Sequence, residues 1–214
     1  MNFNYLISLP RSLFYNICLF GLGGYRVPIL FSNKIKVQGL RKGKIKLSSF
    51  DTACIKIGFG GSKGISSNIK GYFILGDTGN IEFSGTAFWG EGCSIRVDNG
   101  ILKIGTGFWA NKNCMISCSK GIEIDDGALL GWNVNIRDAD GHDVSWYEKE
   151  NKCSKVSIGR HVWLASYVTI LKGVSIKDGC VIAYNSCVVK PILQTNALIA
   201  GYPARVVRED IIWE

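Results

Sequence analysis

Histidine is almost missing from this chain of 214 residues: only His142 and His161 are present. A metal centre built on three histidines from one chain is therefore excluded. Proline is scarce as well, at 4 residues, so a turn-rich fold must draw its corner conformations from the 26 glycines. The 8 cysteines, at 18, 54, 93, 114, 118, 153, 180 and 187, contain no Cys-x-x-C pair. This spacing argues against a zinc ribbon and against a disulfide framework, and they read as reduced, mostly buried thiols of a cytoplasmic protein. No unbroken apolar run reaches the roughly 18 residues of a membrane span. The apolar start, Met1 to Tyr25, is interrupted by Pro10-Arg11 and lacks a basic leading region, so it makes a poor signal peptide. Acids are nearly missing from the first third. Residues 1–72 hold 11 Lys and Arg against the single acid Asp51, a net charge of +10, whereas residues 73–214 sum to −2. That asymmetry points to an anionic partner for the N-terminal third: a membrane surface, nucleic acid or an acidic glycan. Nucleic acid fits worst, because the basic run has no interleaved stacking aromatics and no binding motif follows.

What the sequence does have is a period of six. Aliphatic residues recur at Ile158, Leu164, Ile170, Ile176, Ile182 and Val188, and the place two before each next one is Val162, Val168, Val174, Cys180 or Ser186. No helix has this period, whereas a solenoid with one short strand and one corner per six residues does. Residues two apart on a strand share a face, so the fifth place of one six and the first of the next both point inward. Three such strands close a triangular coil of about eighteen residues. Ile158 then stacks on Ile176, Leu164 on Ile182 and Ile170 on Val188, and the stack is the core. The period extends back through Ile104, Ala110 and Ile116, slips by two at Cys118 to Gly121, and resumes at Ile124, Leu130 and Ile136.

The expected fold is an all-β parallel β-helix in three parts. Residues 1–33 form an N-terminal cap with a short amphipathic helix before Gly21, and the same segment is a candidate for peripheral contact with a membrane. Residues 34–193 form the β-helix, beginning with alternating strands such as Ile35-Lys36-Val37 and Ile45-Lys46-Leu47. A glycine-rich corner insertion, Gly58 to Gly71, lacks the Gly-Lys-Ser/Thr end of a phosphate cradle. Residues 194–214 form an extended tail. The period stops from 137 to 157, and a long insertion in a regular scaffold is where function is usually carried.

That insertion opens Arg137-Asp138-Ala139-Asp140-Gly141-His142-Asp143. A histidine beside carboxylates is the usual general base at neutral pH, and it is equally what a solvated acidic turn contains. A calcium loop is not supported, because the remaining ligand spacing is absent. His161 reads as an exposed corner residue, and Trp132 and Trp163 as packing residues at strand positions.

The segments Val162-Trp163-Leu164-Ala165-Ser166, Val168 to Ile176, Val188-Val189-Lys190 and Ala200-Gly201-Tyr202-Pro203-Ala204-Arg205-Val206-Val207-Arg208 resemble the hexapeptide-repeat acetyltransferases. Phe108 to Cys114 is similar to the matching stretch of galactoside and maltose acetyltransferases. The Asp138-x-Asp140-x-His142 loop and the lysine-rich first strands look more like the polysaccharide O-acetyltransferases of capsule and O-antigen clusters. The resemblance implies a left-handed β-helix and a homotrimer with active sites between neighbouring prisms. It further implies acetyl-CoA as co-substrate, no metal, and a glycan or lipid-linked oligosaccharide as acceptor, at the inner face of the cell membrane. His142 takes the place of the catalytic base, with Asp138 or Asp140 orienting it. Asn113 falls on the acceptor side, and Trp132 is assigned there too. Ala165, Ser166 and Ala183 fall along the pantetheine, and Lys190, Arg205 and Arg208 near the phosphates. Two departures stand out: Tyr184 occupies a place where the family often has a small residue, and Pro191 replaces an acid. The alternatives are acetylation of a small molecule and a non-catalytic scaffold. A zinc carbonic anhydrase on the same prism lacks its histidines, and a serine acetyltransferase would need a large helical domain.

Overall fold

The repeating unit is a strand of two to five residues followed by a corner, and the corner has a fixed conformation. Non-glycine residues with φ near +50 to +65° include Asn113, Asn133, His161, Tyr167 and Asn185, and Gly107, Gly127, Gly173 and Gly179 occupy the same region at +70 to +77°. These fall at the fourth place of successive sixes. Asparagine and glycine tolerate left-handed backbone best, which is why they dominate there. A computed structural model describes residues 3–65, 69–142 and 152–214. Asp143 and residues 144–151 of the predicted insertion lie outside the described residues.

The strands form three sheets of nine, seven and six members that run as the faces of a prism. The first coil contributes Ile29–Phe31 to the first face, Ile35–Gln38 to the second and Ile45–Leu47 to the third. Neighbours along each face are parallel, and the register is the predicted one: Ile158 opposite Ile176, Leu164 opposite Ile182, Ile170 opposite Val188. All six side chains are at most 2% exposed. The later coils are filled by aliphatic residues. The earlier, less regular coils are filled by Phe31, Phe73, Phe83, Trp89 and Phe108, with edge-to-face contacts such as Phe31–Phe73 at 5.3 Å. Of the 8 cysteines, 93, 114, 118, 180 and 187 are buried and unbridged, and Cys18 is exposed.

The open end of the prism is covered by helix α1, Phe3–Phe20, which continues into a 3-10 turn at Gly21–Arg26. The sequence treats Pro10 as a break, but the helix runs through it. Proline removes one backbone donor and leaves the Leu6 carbonyl without its helical partner. Pro10 lies on the exposed side of the helix, while anchors on the other side hold its course. These anchors are polar. Ser12 Oγ accepts from the Phe31 N–H at 2.9 Å, Asn16 Nδ2 donates to the Ile29 carbonyl at 2.7 Å, and the Ile29 N–H donates to Asn16 Oδ1 at 3.1 Å. The helix thus serves the free edge of Ile29–Phe31 as a substitute strand, satisfying backbone groups that would otherwise be buried unpaired. Phe3–Arg26 is also long and apolar enough, by length and composition, to cross a membrane, with mean hydropathy 1.3. This corrects the expectation from unbroken runs, which discounted the stretch for its scattered polar residues.

At the other end the tail is not extended. Leu198–Gly201 continues the first face beside Val181–Ile182, then turns back as an antiparallel strand, Ala204–Arg208. The last residues fold onto the prism, where Trp213 stacks flat on His161 at 3.9 Å between ring centroids. His161 Nε2–H donates to the Trp213 carbonyl at 3.0 Å. His161 is the predicted exposed corner residue, and its aromatic partner was not foreseen.

Candidate active site

The outer surface of the second face carries a cleft of about 770 Å³. Its floor is the outward side of the strands, where the register aligns Arg96, Ser117 and Arg137 in one column. Its wall is the insertion, through Asp140, Gly141, Lys152 and Cys153. Arg96 Nε donates to both Asp98 oxygens at 2.8 Å, and Arg137 reaches Asn135 Oδ1 at 3.4 Å. The cleft is therefore mixed, with arginines and serines standing beside Tyr72, Ile74 and Met115. Sequence reading missed this column because an arginine between two core residues looks like any solvated outward position. Aligning the strands by register would have found it.

The insertion leaves the prism as a short antiparallel pair. Ala139 bridges Cys153, the Asp140 N–H donates to the Lys152 carbonyl at 3.1 Å, and the Ser154 N–H donates to the Asp138 carbonyl at 2.9 Å. His142, exposed, stands just beyond this clasp, one residue from the cleft wall. Asp138 is fully buried. Its Oδ1 accepts from the Ser119 N–H at 2.7 Å, and its Oδ2 from Lys120 and Gly121 N–H at 2.7 and 2.6 Å. The carboxylate thus fills the corner left by the two-residue slip in the repeat. Cys118 beside it has its thiol pushed up to about 12, first by burial and then by the charge of Asp138. Asp140 is paired with Lys172 Nζ at 2.5 Å. Both carboxylates are therefore already engaged, one with backbone amides and one with a lysine of the repeat.

The opposite edge of the second face gathers a different set. Asn113, Trp132, Ala165, Ser166 and Ala183 all lie at the corner between the first and second faces, on successive coils. Trp132 is not on a strand, as its pattern suggested. It sits one place before the left-handed Asn133, inside the turn, where the repeat places corner residues. Its N–H donates to Ser166 Oγ at 3.0 Å. A Cβ on Gly64 would come within 2.3 Å of its ring, so the glycine-rich insertion closes over it. Asn111, overlooked in the sequence, holds that insertion by accepting from the Ser62 N–H at 2.9 Å and donating to Ser62 Oγ at 2.8 Å. Further along the edge, small side chains at Gly131, Ala165 and Ala183 keep the surface low. Tyr167 and Tyr184, with centroids 5.3 Å apart, form an aromatic step beside them.

The three cations assigned to phosphates do not converge within one chain. Arg205 and Arg208 lie exposed on the final strand of the first face, whereas exposed Lys190 lies at the corner between the second and third faces. His142 and the Ala165–Ala183 edge are likewise on opposite sides of the second face. The five residue steps from Asn133 to Asp138 span it, roughly 16 Å of extended chain. Among the described residues, no three His, Cys, Asp or Glu side chains come together as a metal set.

Comparison with known proteins agrees with this architecture. Residues 155–190 match the family model described as bacterial transferase hexapeptide (six repeats). An uncharacterized 24.8 kDa protein in the cps region of Klebsiella pneumoniae is 31% identical over 193 residues, covering 89% of this chain and 83% of that protein. Galactoside O-acetyltransferase of Escherichia coli K12 is 37% identical over 111 residues, 50% of this chain and 54% of the enzyme, so the match spans about half of its length. Among solved structures, the polysialic acid O-acetyltransferase OatWY shares the fold with a TM-score of 0.52 and 24% identity, over 87% of this chain and 86% of that one. The chain belongs to the bacterial hexapeptide-repeat acyltransferases and is built on their left-handed parallel β-helix.

Proposed function

We propose that the protein transfers an acetyl group from acetyl-CoA to a hydroxyl of a bacterial surface-polysaccharide sugar, with His142 as general base. The observation that supports this reading is a histidine on a backbone-braced loop, one residue beyond Gly141 in the wall of a cleft of about 770 Å³ that carries arginines and serines. His142 removes the proton of the acceptor hydroxyl as that oxygen attacks the thioester carbonyl. The tetrahedral oxyanion collapses, the carbon–sulfur bond breaks, and the imidazolium returns its proton to the leaving thiolate. A sugar hydroxyl is far too weak an acid to ionise alone at pH 7, so this assistance contributes about 10²–10⁴-fold. Asp138 acts as a positioning residue, fixing the root of the loop through the amides of 119–121. Asp140 and Lys172 steady its outgoing strand.

The separation of His142 from the Ala165–Ala183 edge supports a site completed between copies of a homotrimer. The loop of one copy meets the pantetheine edge of the next, with Arg205, Arg208 and Lys190 near the phosphates. The cleft's arginines and serines would hold the acceptor, and the name of the Klebsiella relative favours a capsule glycan over a small free acceptor. The test is thiol release from acetyl-CoA in the presence of bacterial glycan oligosaccharides, with wild type and His142→Ala. A fall of about 10²-fold or more in the variant is expected. Unchanged turnover would remove His142 from the mechanism. A wild type that neither turns over nor binds CoA would leave the scaffold reading.

A further inference from the structure

Helix α1 meets the prism through a polar central line flanked by half-buried Leu9, Leu13 and Tyr15. Its buried stripe is polar: Ser8, Ser12 and Asn16, with Leu19, face the prism. Its one charged residue, Arg11, also turns inward, donating to the Ile35 carbonyl at 2.6 Å and stacking on Tyr15 at 5.2 Å. The outward face is left apolar. Phe3, Ile7, Phe14, Leu22 and Tyr25 are 71, 48, 64, 85 and 62% exposed, and Pro10 and Cys18 lie on the same side. Scattered exposed apolar residues need no explanation, but a continuous stripe of this kind marks a contact surface.

The rim of the same end supplies the second observation. The coil under α1, residues 29–50, carries six cations and no acid; Lys34, Arg41 and Lys46 pair with Glu91, Asp77 and Glu82 of later coils, which leaves Lys36, Lys42 and Lys44 without an ion pair among the described residues, and Arg26 stands exposed where the 3-10 turn ends. Apolar side chains ringed by cations complement one surface in particular, an anionic lipid leaflet. Hydrocarbon takes the aromatic and aliphatic groups, and the headgroups take the lysines. We infer that the α1 end of the prism docks on an anionic lipid surface, with the helix lying in the interface. Crossing the bilayer is the wrong reading of the same hydropathy. A spanning helix would withdraw Ser12 and Asn16 from Ile29 and Phe31 and leave those backbone groups unpaired. Docked flat, the helix keeps every one of these bonds and buries only the face that has no partner in the fold. The prism axis then stands away from the lipid, with the cleft starting one coil above, at Tyr72, and His142 several coils further along.

The test is sedimentation with vesicles of phosphatidylcholine alone and of phosphatidylcholine with about a third phosphatidylglycerol, using the full chain; binding at least about tenfold stronger to the anionic vesicles is expected. Phe14→Glu with Leu22→Glu should lower that binding by about tenfold or more, because the charges fall on the inserted face. Lys36→Glu with Lys42→Glu should reduce anionic binding to the neutral level. Helical circular dichroism establishes that each variant is folded, and Phe14→Ser serves as the milder replacement if the double glutamate does not fold. Absence of vesicle binding by wild type would overturn the inference, as would equal binding by the Phe14→Glu, Leu22→Glu variant. A change of oligomeric state in that variant without vesicle binding would assign the face to a second copy instead. The inference does not rest on acetyl transfer, since vesicle binding and thiol release are read separately, and of the substituted residues only Lys36, in register with Tyr72, neighbours the cleft.

Discussion

Replacing Asp138 separates two roles that the sequence left open. If this carboxylate oriented the His142 ring, Asp138→Asn would cut turnover at nearly unchanged stability. The structure gives it other work: its two oxygens accept three backbone N–H bonds at 2.6–2.7 Å in a fully buried corner. Alanine there leaves the amides of Ser119, Lys120 and Gly121 without an acceptor. Each unsatisfied buried donor costs about 1–3 kcal/mol, and entry of water offsets part of this, so about 4 kcal/mol is expected in total. Asparagine keeps one oxygen for Lys120 and Gly121 but turns an amide toward the Ser119 N–H, at a cost of about 2 kcal/mol. At this chain length each kcal/mol moves the melting temperature by about 2–4 °C, which predicts falls of about 8–16 °C for alanine and about 4–8 °C for asparagine. Thermal unfolding followed by far-ultraviolet circular dichroism measures this. Activity should fall in the same order, alanine below asparagine. A melting temperature for Asp138→Ala within a degree of wild type would refute the bracing argument.

Asn16→Leu should destabilise the chain by about 2–5 kcal/mol, read as a lower urea midpoint, because it strips the Ile29 N–H and carbonyl of their partners while adding apolar volume. Cys118, held up to about 12, should resist alkylation at pH 8 in the native protein, whereas exposed Cys18 reacts. Its unfolded thiol ionises near pH 9 but its folded thiol does not, so the unfolded state binds fewer protons over that interval. Stability is therefore unaffected by this group below about pH 9 and falls as pH rises from there toward about 12. Cys118→Ala should flatten that alkaline limb of the urea midpoint, and an unchanged limb would contradict the assignment.

The repeat was legible because it is a steric rule. Inward pairs such as Val162 and Leu164 must be apolar, and the left-handed corner between strands favours Gly173, Gly179 and Asn185. Those constraints fix strands, coil length and register together. Two features escaped for physical reasons. Amphipathicity identifies the existence of helix α1 but not which face is buried; Ser12 and Asn16 face inward because a strand edge needs donors and acceptors, not hydrocarbon. The character of Asp138 depends on amides that lie 17–19 residues earlier in sequence, which no local pattern reveals. His142 was recognisable as a candidate from its place beside carboxylates in the break of the repeat and from the family resemblance, whereas the Ala139–Cys153 bridge that braces the loop's root joins residues 14 apart and has no local signal. Trp132 lies two places past the end of the strand Leu129–Leu130, inside the corner rather than on the strand.

A site formed from His142 of one copy and the Ala165–Ala183 edge of another, as proposed above, makes a quantitative prediction for mixed chains. Mixed assembly tests this directly. His142→Ala and Ser166→Trp are each expected to be inactive, the second because its indole blocks the edge. Co-expressed in equal amounts and purified as one assembly, they should recover about a quarter of wild-type thiol release, since random mixing around a cyclic trimer pairs an intact loop with an intact edge at about one interface in four. No recovery from a mixed assembly shown by mass spectrometry to contain both chains would contradict a shared site and place the whole reaction within a single prism.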